Sequence, residues 1–265
     1  VVGDESMFEW DGSDNTKEYR DLTLVRLEGE LVLAVACDLS GAIGPKELDV
    51  VKVPGYIVGR FATRVAVMEL LSIGVKPAVL VNNICVEPSG GREIVNGIVG
   101  ELKDAGLHRG TVLTGSTEKN IPTRQTGLGV TAIGTSRTRG IKAGLTLPGD
   151  KVYCVGIPKV GDEVDIEDPA IVTLKTAMIL RSMEEVHEIV PVGSKGIRKE
   201  AELLAHLARV TLELDPDGTH GNLDLNKTGG PSTCIVLTAE PDEGLLFKMR
   251  NLISQPVTAI GVCEG

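Results

Sequence analysis

The sequence predicts an α+β protein of two domains, and three observations carry that expectation. Apolar strand patterns and amphipathic helix patterns are mixed in both halves, in the ferredoxin-like or a related α+β manner. A tight turn, Leu147-Pro148-Gly149-Asp150, falls between the halves, so one domain is expected over residues 1–145 and another over 146–265. Aliphatic residues and alanine dominate a chain of 265 residues, which is ample for a sizeable core.

Residues 1–20 form a polar, Asp- and Gly-rich arm interrupted by Met7, Phe8 and Trp10. It reads either as a flap over a site or as a terminus anchored by Trp10. Residues 22–27 and 30–37 read as the strands of a hairpin turned at Glu28-Gly29, with Asp38 where the second strand ends. Residues 55–73 give the clearest helix. Ile57, Phe61, Val65 and Met68 recur at three- and four-residue steps, and Gly74 followed by Pro77 supplies the stop. Residues 78–86 then read as a strand, 91–105 as a helix ending at Gly106, and 111–114 and 127–136 as further strands.

Beyond the central turn, strands are expected at 151–156, 210–214, 232–238 and 257–262. Helices are expected near 168–183, 196–208 and 242–254. Neither a short-period repeat nor a low-complexity tract is visible.

Bulk properties exclude several classes. A formal net charge of -10 argues against nucleic acid or an acidic membrane surface as partner. Aromatic residues make up 3% of the chain, too few for a base-stacking platform. No apolar run approaches the roughly 20 residues of a membrane span, and no signal-peptide pattern opens the sequence. Cys37, Cys85, Cys154, Cys234 and Cys263 are odd in number, lack a C-x-x-C pair and sit in apolar runs. They read as buried thiols of a cytoplasmic protein. The isolated histidines suggest neither zinc nor a catalytic triad.

The chemistry-bearing residues are acids placed beside apolar elements: Asp38 at a strand end, Glu69 on the helical stripe of Ala62, Val65 and Ala66, and Glu118 in a glycine-marked loop. Carboxylates so placed call for a cation, and magnesium (Mg2+) with a polyphosphate such as ATP is a suitable one. The competing reading is surface or turn acids. Residues 38–46 form a glycine-spaced loop carrying Lys46, whose N–H groups and ammonium suit phosphate oxygens, although Walker A spacing is absent. Thr114, Gly115, Ser116, Thr117, Lys119 and Asn120 offer similar contacts. Asn82 and Asn83 interrupt an apolar strand; alternation exposes one and buries the other, with acceptor recognition or an edge-strand amide as the two readings. Gly193-Ser194-Lys195-Gly196 precedes a helix and suits either an anion or a plain cap.

Taken in order, these landmarks resemble the aminoimidazole ribonucleotide synthetase-like superfamily, whose members include selenophosphate synthetase, thiamine-monophosphate kinase and the hydrogenase maturation ATPase. Asp21 and Asp38 at the two ends of a hairpin resemble its acidic pair. The helix end Glu69-Leu70-Leu71-Ser72-Ile73-Gly74-Val75-Lys76-Pro77 resembles its acid-containing helix, and Thr114-Gly115-Ser116-Thr117-Glu118 its Gly-Gly-acid-Thr loop. Residues 147–152 resemble the opening of its second domain, and 228–241 its closing strand and turn.

The resemblance implies a two-domain synthetase-like fold with an N-terminal dimerising sheet domain, hence a homodimer. It implies ATP- and magnesium-dependent phosphorylation of a small molecule, with a nucleoside such as α-ribazole as an example acceptor. Asp21, Asp38, Glu69 and Glu118 would hold metal, Lys46 and residues 114–120 phosphates, and Asn82 or Asn83 the acceptor; Asp38 and Lys46 would be catalytic. The chain departs from the family pattern at Ala66, where an Asn is common, at Ser116 in place of the loop acid, and at Lys195, where a Ser-Asp-Gly loop is common. Those departures motivate the alternative of a nucleotide-binding regulatory protein without turnover.

Overall fold

The computed structural model describes residues 10, 14–216, 221 and 223–265. Most of the N-terminal arm and His220 lie outside the described residues. The chain forms two compact units, one of residues 15–71 and 75–138, the other chiefly of residues 139–265.

The first unit contains β1 (Thr16–Tyr19), β2 (Leu22–Arg26), β3 (Leu31–Gly41), β4 (Ile43–Gly44), β5 (Val51–Lys52), α1 (Gly55–Ser72), β6 (Pro77–Ile84), α2 (Pro88–Asp104), β7 (Val112–Thr117) and β8 (Gly127–Arg137). Six of the strands make one sheet in the order β1-β2-β3-β8-β6-β7; β4 and β5 form a small separate pair. The large sheet is antiparallel except for β6 and β7, which run parallel and are joined through α2. Parallel neighbours need such a crossover, because a tight hairpin cannot join them.

Period-two alternation gives the sheet one closed face. Leu22, Leu24, Val32, Ala34, Ala36, Leu80, Leu128, Val130 and Ala132 are buried on it. The alternate residues Leu33, Val35, Val79, Val81 and Ile133 are only half-buried, and Leu31 and Val112 are exposed. Along α1 nearly every side chain is buried, because it also packs against α2. A Cβ on Gly59 would come within 2.1 Å of the Ile94 carbonyl oxygen, and one on Gly97 within 2.0 Å of that of Tyr56. Only glycine permits so close an approach of two helix backbones. Beside this contact Glu101 accepts from Arg60 Nε at 2.6 Å and Arg64 Nε at 2.8 Å, so the part-buried Arg60 and the buried Arg64 are both partnered.

The second unit contains β9 (Lys151–Gly156), α3 (Leu174–Arg181), β10 (Val186–Pro191), α4 (Gly196–Leu207), β11 (Thr211–Leu214), β12 (Cys234–Ala239), α5 (Leu245–Leu252) and β13 (Val257–Glu264). Its antiparallel sheet has the order β10-β12-β9-β13-β11. Without α4 and β11 the chain order is β-α-β-β-α-β, the ferredoxin-like arrangement expected from sequence. Val152, Cys154, Val190, Ile197, Leu204 and Val236 share its core.

The structure corrects several details. Strand β1 lies inside the stretch expected as an arm. Strand β7 runs on to Thr117, so residues expected in a loop belong to a sheet edge. Helix α3 starts at Leu174 rather than near 168. Cys37 and Cys85 are exposed, against the expectation of five buried thiols; Cys154, Cys234 and Cys263 are buried. Cys37 sits on the uncovered side of β3 and Cys85 just past the end of β6, where neither position is packed over.

Candidate functional site

The carboxyl ends of β6 and β7 open into a groove of about 420 Å³ lined by Asn83, Ile84, Cys85, Ser116, Thr117, Glu118, Lys119 and Asn120. Ligands favour the carboxyl ends of parallel strands, because the chain leaves the sheet there and leaves a crevice. Six of the residues expected from sequence to bind ligand meet in this groove. Thr114, Gly115, Asn82, Asp38, Lys46, Asp21 and Glu69 are not among its lining residues.

Two loops beside the groove are laced together. Lys46 Nζ pairs with Glu87 and donates to the Thr123 carbonyl at 3.0 Å. The other Glu87 oxygen accepts from the Thr123 amide at 3.1 Å. Asp49 is buried and accepts from the Lys46 amide, the Thr126 amide and the Thr126 hydroxyl, each at 2.7 Å. Burial alone would push the Asp49 carboxyl up, but these bonds and the Lys52 charge hold it below the usual carboxylate range. Lys46, expected to hold phosphate, is engaged with Glu87 and the Thr123 carbonyl. Asp49 and Glu87 were missed by sequence reasoning. The available signal was an acid immediately before Pro88, where a helix begins.

The expected metal ligands do not converge. Among the described residues no three His, Cys, Asp or Glu side chains come together as a metal site. Asp21 is exposed in the turn between β1 and β2. Glu69 is buried with Arg20 NH2 at 3.7 Å, so the cation its burial calls for is in part a guanidinium. Arg20 reaches it from a backbone at φ 56°, the left-handed region. Glu118 turns back on its own loop: Oε1 accepts from the Asn120 amide at 2.7 Å and the Ile121 amide at 3.1 Å. Those N–H groups hold its carboxyl below the ordinary range. Two backbone N–H groups of this loop thus converge on one carboxylate oxygen, that of the loop's own Glu118.

Asp38 differs from the other three. Its position on β3 continues the buried alternation of Val32, Ala34 and Ala36. Burial pushes its carboxyl up to about 6, with only a hydrogen bond from the Leu39 backbone opposing. In the strand register Asp38 and Asn82 both lie opposite Val130, on either side of it. Two strand spacings put their Cα atoms about 10 Å apart on one face. Asn82 is buried and donates Nδ2 to the Thr114 carbonyl at 2.8 Å, whereas Asn83 is exposed, as alternation required. Gly115 stands beside Asn82, where a Cβ would meet the Asn82 carbonyl oxygen at 1.9 Å.

In the second unit, the Gly193–Gly196 loop is packed closely: a Cβ on Gly196 would come within 2.8 Å of the Asn226 carbonyl. Glu188 is buried and accepts from the amides of Gly144, Leu145 and Thr146 at 3.0, 3.1 and 3.2 Å and from the Thr146 hydroxyl at 2.8 Å. Asp150 accepts from the Leu147 amide at 2.9 Å and lies 2.7 Å from His187 Nδ1. These acids fasten the opening segment of this unit to its own sheet.

The fold is a two-domain α+β arrangement with its groove at the carboxyl ends of parallel strands, and it has counterparts among known proteins. Residues 19–136 match the family described as AIR synthase related protein, N-terminal domain. No curated protein matches the chain. Among solved structures, thiamine-monophosphate kinase from Stenotrophomonas maltophilia K279a superposes with a TM-score of 0.65 at 17% identity, covering 95% of this chain and 89% of that one. The hydrogenase maturation protein HypE in complex with ATP gives 0.63 at 14% identity, covering 91% and 79%. AaThiL complexed with AMPPCP and TMP gives 0.58 at 14% identity, covering 92% and 84%. Residues 19–136 are thus similar to the AIR synthase related N-terminal domain, and the chain shares the fold of these solved structures.

Proposed function

We propose that the protein is an ATP- and magnesium-dependent phosphotransferase acting on a small molecule, of the synthetase-related kinase branch. The observation that carries this reading is Asp38. It is a part-buried acid, pushed up to about 6, with no cation beside it among the described residues. A divalent cation would offset the burial that now favours its neutral form. The fold supports the reading, since solved proteins that share it include one complexed with ATP and one with AMPPCP.

The residues fit magnesium in a limited way. Asp38 supplies one hard oxygen ligand, and magnesium takes few protein ligands when phosphate oxygens and waters complete its shell. Glu118, Glu69 and Asp21 would join only by giving up their present partners or reaching in from solvent. When bound, the ion would neutralise charge on the transferred phosphoryl group. Asp38 would orient the reacting phosphate through that charge, Lys46 would exchange Glu87 for a phosphate oxygen, and the amides of residues 119–121 would accept an anion displacing Glu118. Residues 114–120 would line the phosphates, and Asn82 or Asn83 would hydrogen-bond the acceptor.

Residues 1–145 would form the ATP-binding and dimerisation domain and 146–265 the second. The half-buried apolar side chains on the uncovered sheet face, Leu33, Val35, Val79 and Ile133, suit pairing with a second copy in a cytoplasmic homodimer. No described helix is long and apolar enough to cross a membrane.

The test is calorimetry with AMPPCP, with and without magnesium, on the wild type and Asp38→Asn, followed by ADP release with candidate acceptors, α-ribazole first. Magnesium-dependent binding lost in Asp38→Asn supports the site. Tight binding with no ADP release on any acceptor would instead favour a regulatory module. Sedimentation at two protein concentrations reads the dimer.

A further inference from the structure

A second groove, of about 280 Å³, adjoins the first and shares Thr117 and Lys119 with it. Its other walls come from the first turns of α2, with Arg92 and Asn96 on one side. We infer that this groove is an anion-binding subsite in which Arg92 and Lys119 take the phosphate or carboxylate group of a small-molecule ligand seated beside the nucleotide groove.

Charge carries the argument. The chain has a net charge of -10, with 37 acids for 27 Lys and Arg, so carboxylate partners are plentiful. Lys46, Arg60, Arg64, Arg124, Lys159, Lys199, Lys227 and Lys248 each have one. Arg92 and Lys119, like Lys103 and Lys142, have no ion-pair partner among the described residues, and what sets them apart is that both are exposed and line one cavity. The nearby acids are engaged elsewhere: Glu87 with Lys46 and the Thr123 amide, Glu93 with the Gly55 amide at 3.2 Å, and Glu118 with its own loop.

The helix adds to the field. The first turn of α2 carries no acidic residue, and Glu87 makes no side-chain cap to its amides. A cation four residues into a helix works against the macrodipole, so Arg92 and the helix start both favour an anion at the same place. Gly91 lets Thr117, which both grooves share, pack close against the helix, since a Cβ there would meet Thr117 Cγ2 at 2.9 Å. Asn96, one turn on from Arg92, adds an amide that can donate or accept. A guanidinium and an ammonium lining one groove suit an oxyanion better than an apolar group.

The inference rests on the proposed nucleotide site only for what lies next door, and the experiment separates the two. Inorganic phosphate and acetate are titrated by NMR, following the Arg92 Nε–Hε and Asn96 side-chain signals, in free protein and in protein saturated with magnesium and AMPPCP. Phosphate or acetate should shift those signals, the stronger binder naming the ligand group. Arg92→Gln should weaken the anion about tenfold, the equivalent of one charge-assisted hydrogen bond. Asn96→Asp, which places a carboxylate one turn from Arg92, should weaken it similarly, while Lys103→Gln at the far end of α2 should leave it within twofold. Arg92 is exposed, so the variants should fold, and thermal melts confirm it. Phosphate displaced by AMPPCP would overturn the inference, because the groove would then belong to the nucleotide. So would binding indifferent to both variants. Anion binding that persists where AMPPCP does not bind would instead sink the nucleotide site and leave this subsite standing.

Discussion

Between the two units, Asp38 stands apart both from the partnered acids of the second and from the first unit's own Asp49 and Glu101. In the second, Glu188 receives three amides and a hydroxyl, and Asp150 an amide and a histidine. In the first, Asp38 is part-buried with a single backbone hydrogen bond in its favour. A fully partnered buried acid is a fastening. An under-partnered one is a group whose partner is still to come, and native structures keep such groups mainly where function uses them. The contrast can be broken by experiment, because the two kinds of acid respond to removal with opposite signs.

Glu188→Ala should produce the largest effect. It leaves three amides and a hydroxyl without their acceptor in a buried place, a loss of about 3 kcal/mol or more. Urea unfolding followed by circular dichroism reads it as a lower midpoint. A shift below about 0.5 kcal/mol would mean that residues 144–146 hold their place without Glu188.

Asp38→Asn should move the other way. The native state holds the Asp38 proton up to about pH 6, whereas the unfolded chain releases it near 3.8. Between those values the native state binds more protons, so stability falls as pH rises, and ionised Asp38 is a net burden at pH 7. The amide variant should therefore be more stable than wild type at pH 7, by up to about 1 kcal/mol after allowance for its partial exposure. Its advantage should vanish below pH 4. Destabilisation at pH 7 would show that Asp38 has a cationic or donor partner in solution, and the contrast would fail.

His187 sharpens the comparison in a different pH window. The Asp150 hydrogen bond raises its imidazole above 6.5; burial opposes, the charges of Asp150 and Glu240 assist, and Arg181 opposes. Its contribution to stability is complete below pH 6.5 and is lost as pH rises through the raised native value. Stability at pH 6 should thus exceed that at pH 8 in wild type, by less than the Glu188 effect, and His187→Gln should flatten that slope. The imidazole proton signals should titrate above 6.5, and a midpoint at or below it would remove Asp150 as its partner.

Sequence made the regular elements legible where packing follows period. Helix α1 was found from Ile57, Phe61, Val65 and Met68, and β3 and β8 from alternation. Strand β1 was not, because Thr16-Lys17-Glu18-Tyr19 buries only Tyr19 and reads as a polar arm. The loop acid Glu118 was correctly located, but its role depends on amides two and three residues on, whose direction no side-chain pattern encodes. Glu69 was placed on its helix from periodicity. Its partner Arg20 lies far away in sequence and is aimed by a left-handed backbone, which the sequence does not announce. Asp49 was invisible for the same reason, since its value comes from a loop 77 residues away, and Glu87 was marked only by its place before Pro88.

The smallest effect should come from the exposed pair Glu47–Arg124, 2.8 Å apart, with side chains 69% and 66% exposed. It bridges the same two loops that Asp49 and Glu87 bind together, so it looks equivalent on a contact map. Solvent screening and side-chain entropy make such pairs worth roughly 0–0.5 kcal/mol. Glu47→Gln should therefore leave the urea midpoint and AMPPCP affinity unchanged within error, in low salt as in high. Glu87→Gln, which removes the charge facing Lys46 and weakens the acceptor for the Thr123 amide, should loosen the loops and free Lys46. Raised AMPPCP affinity in Glu87→Gln alongside an inert Glu47→Gln would show that the half-buried acid, not the surface pair, keeps Lys46 from the phosphates. Equal effects from the two variants would mean that net charge alone governs the loops.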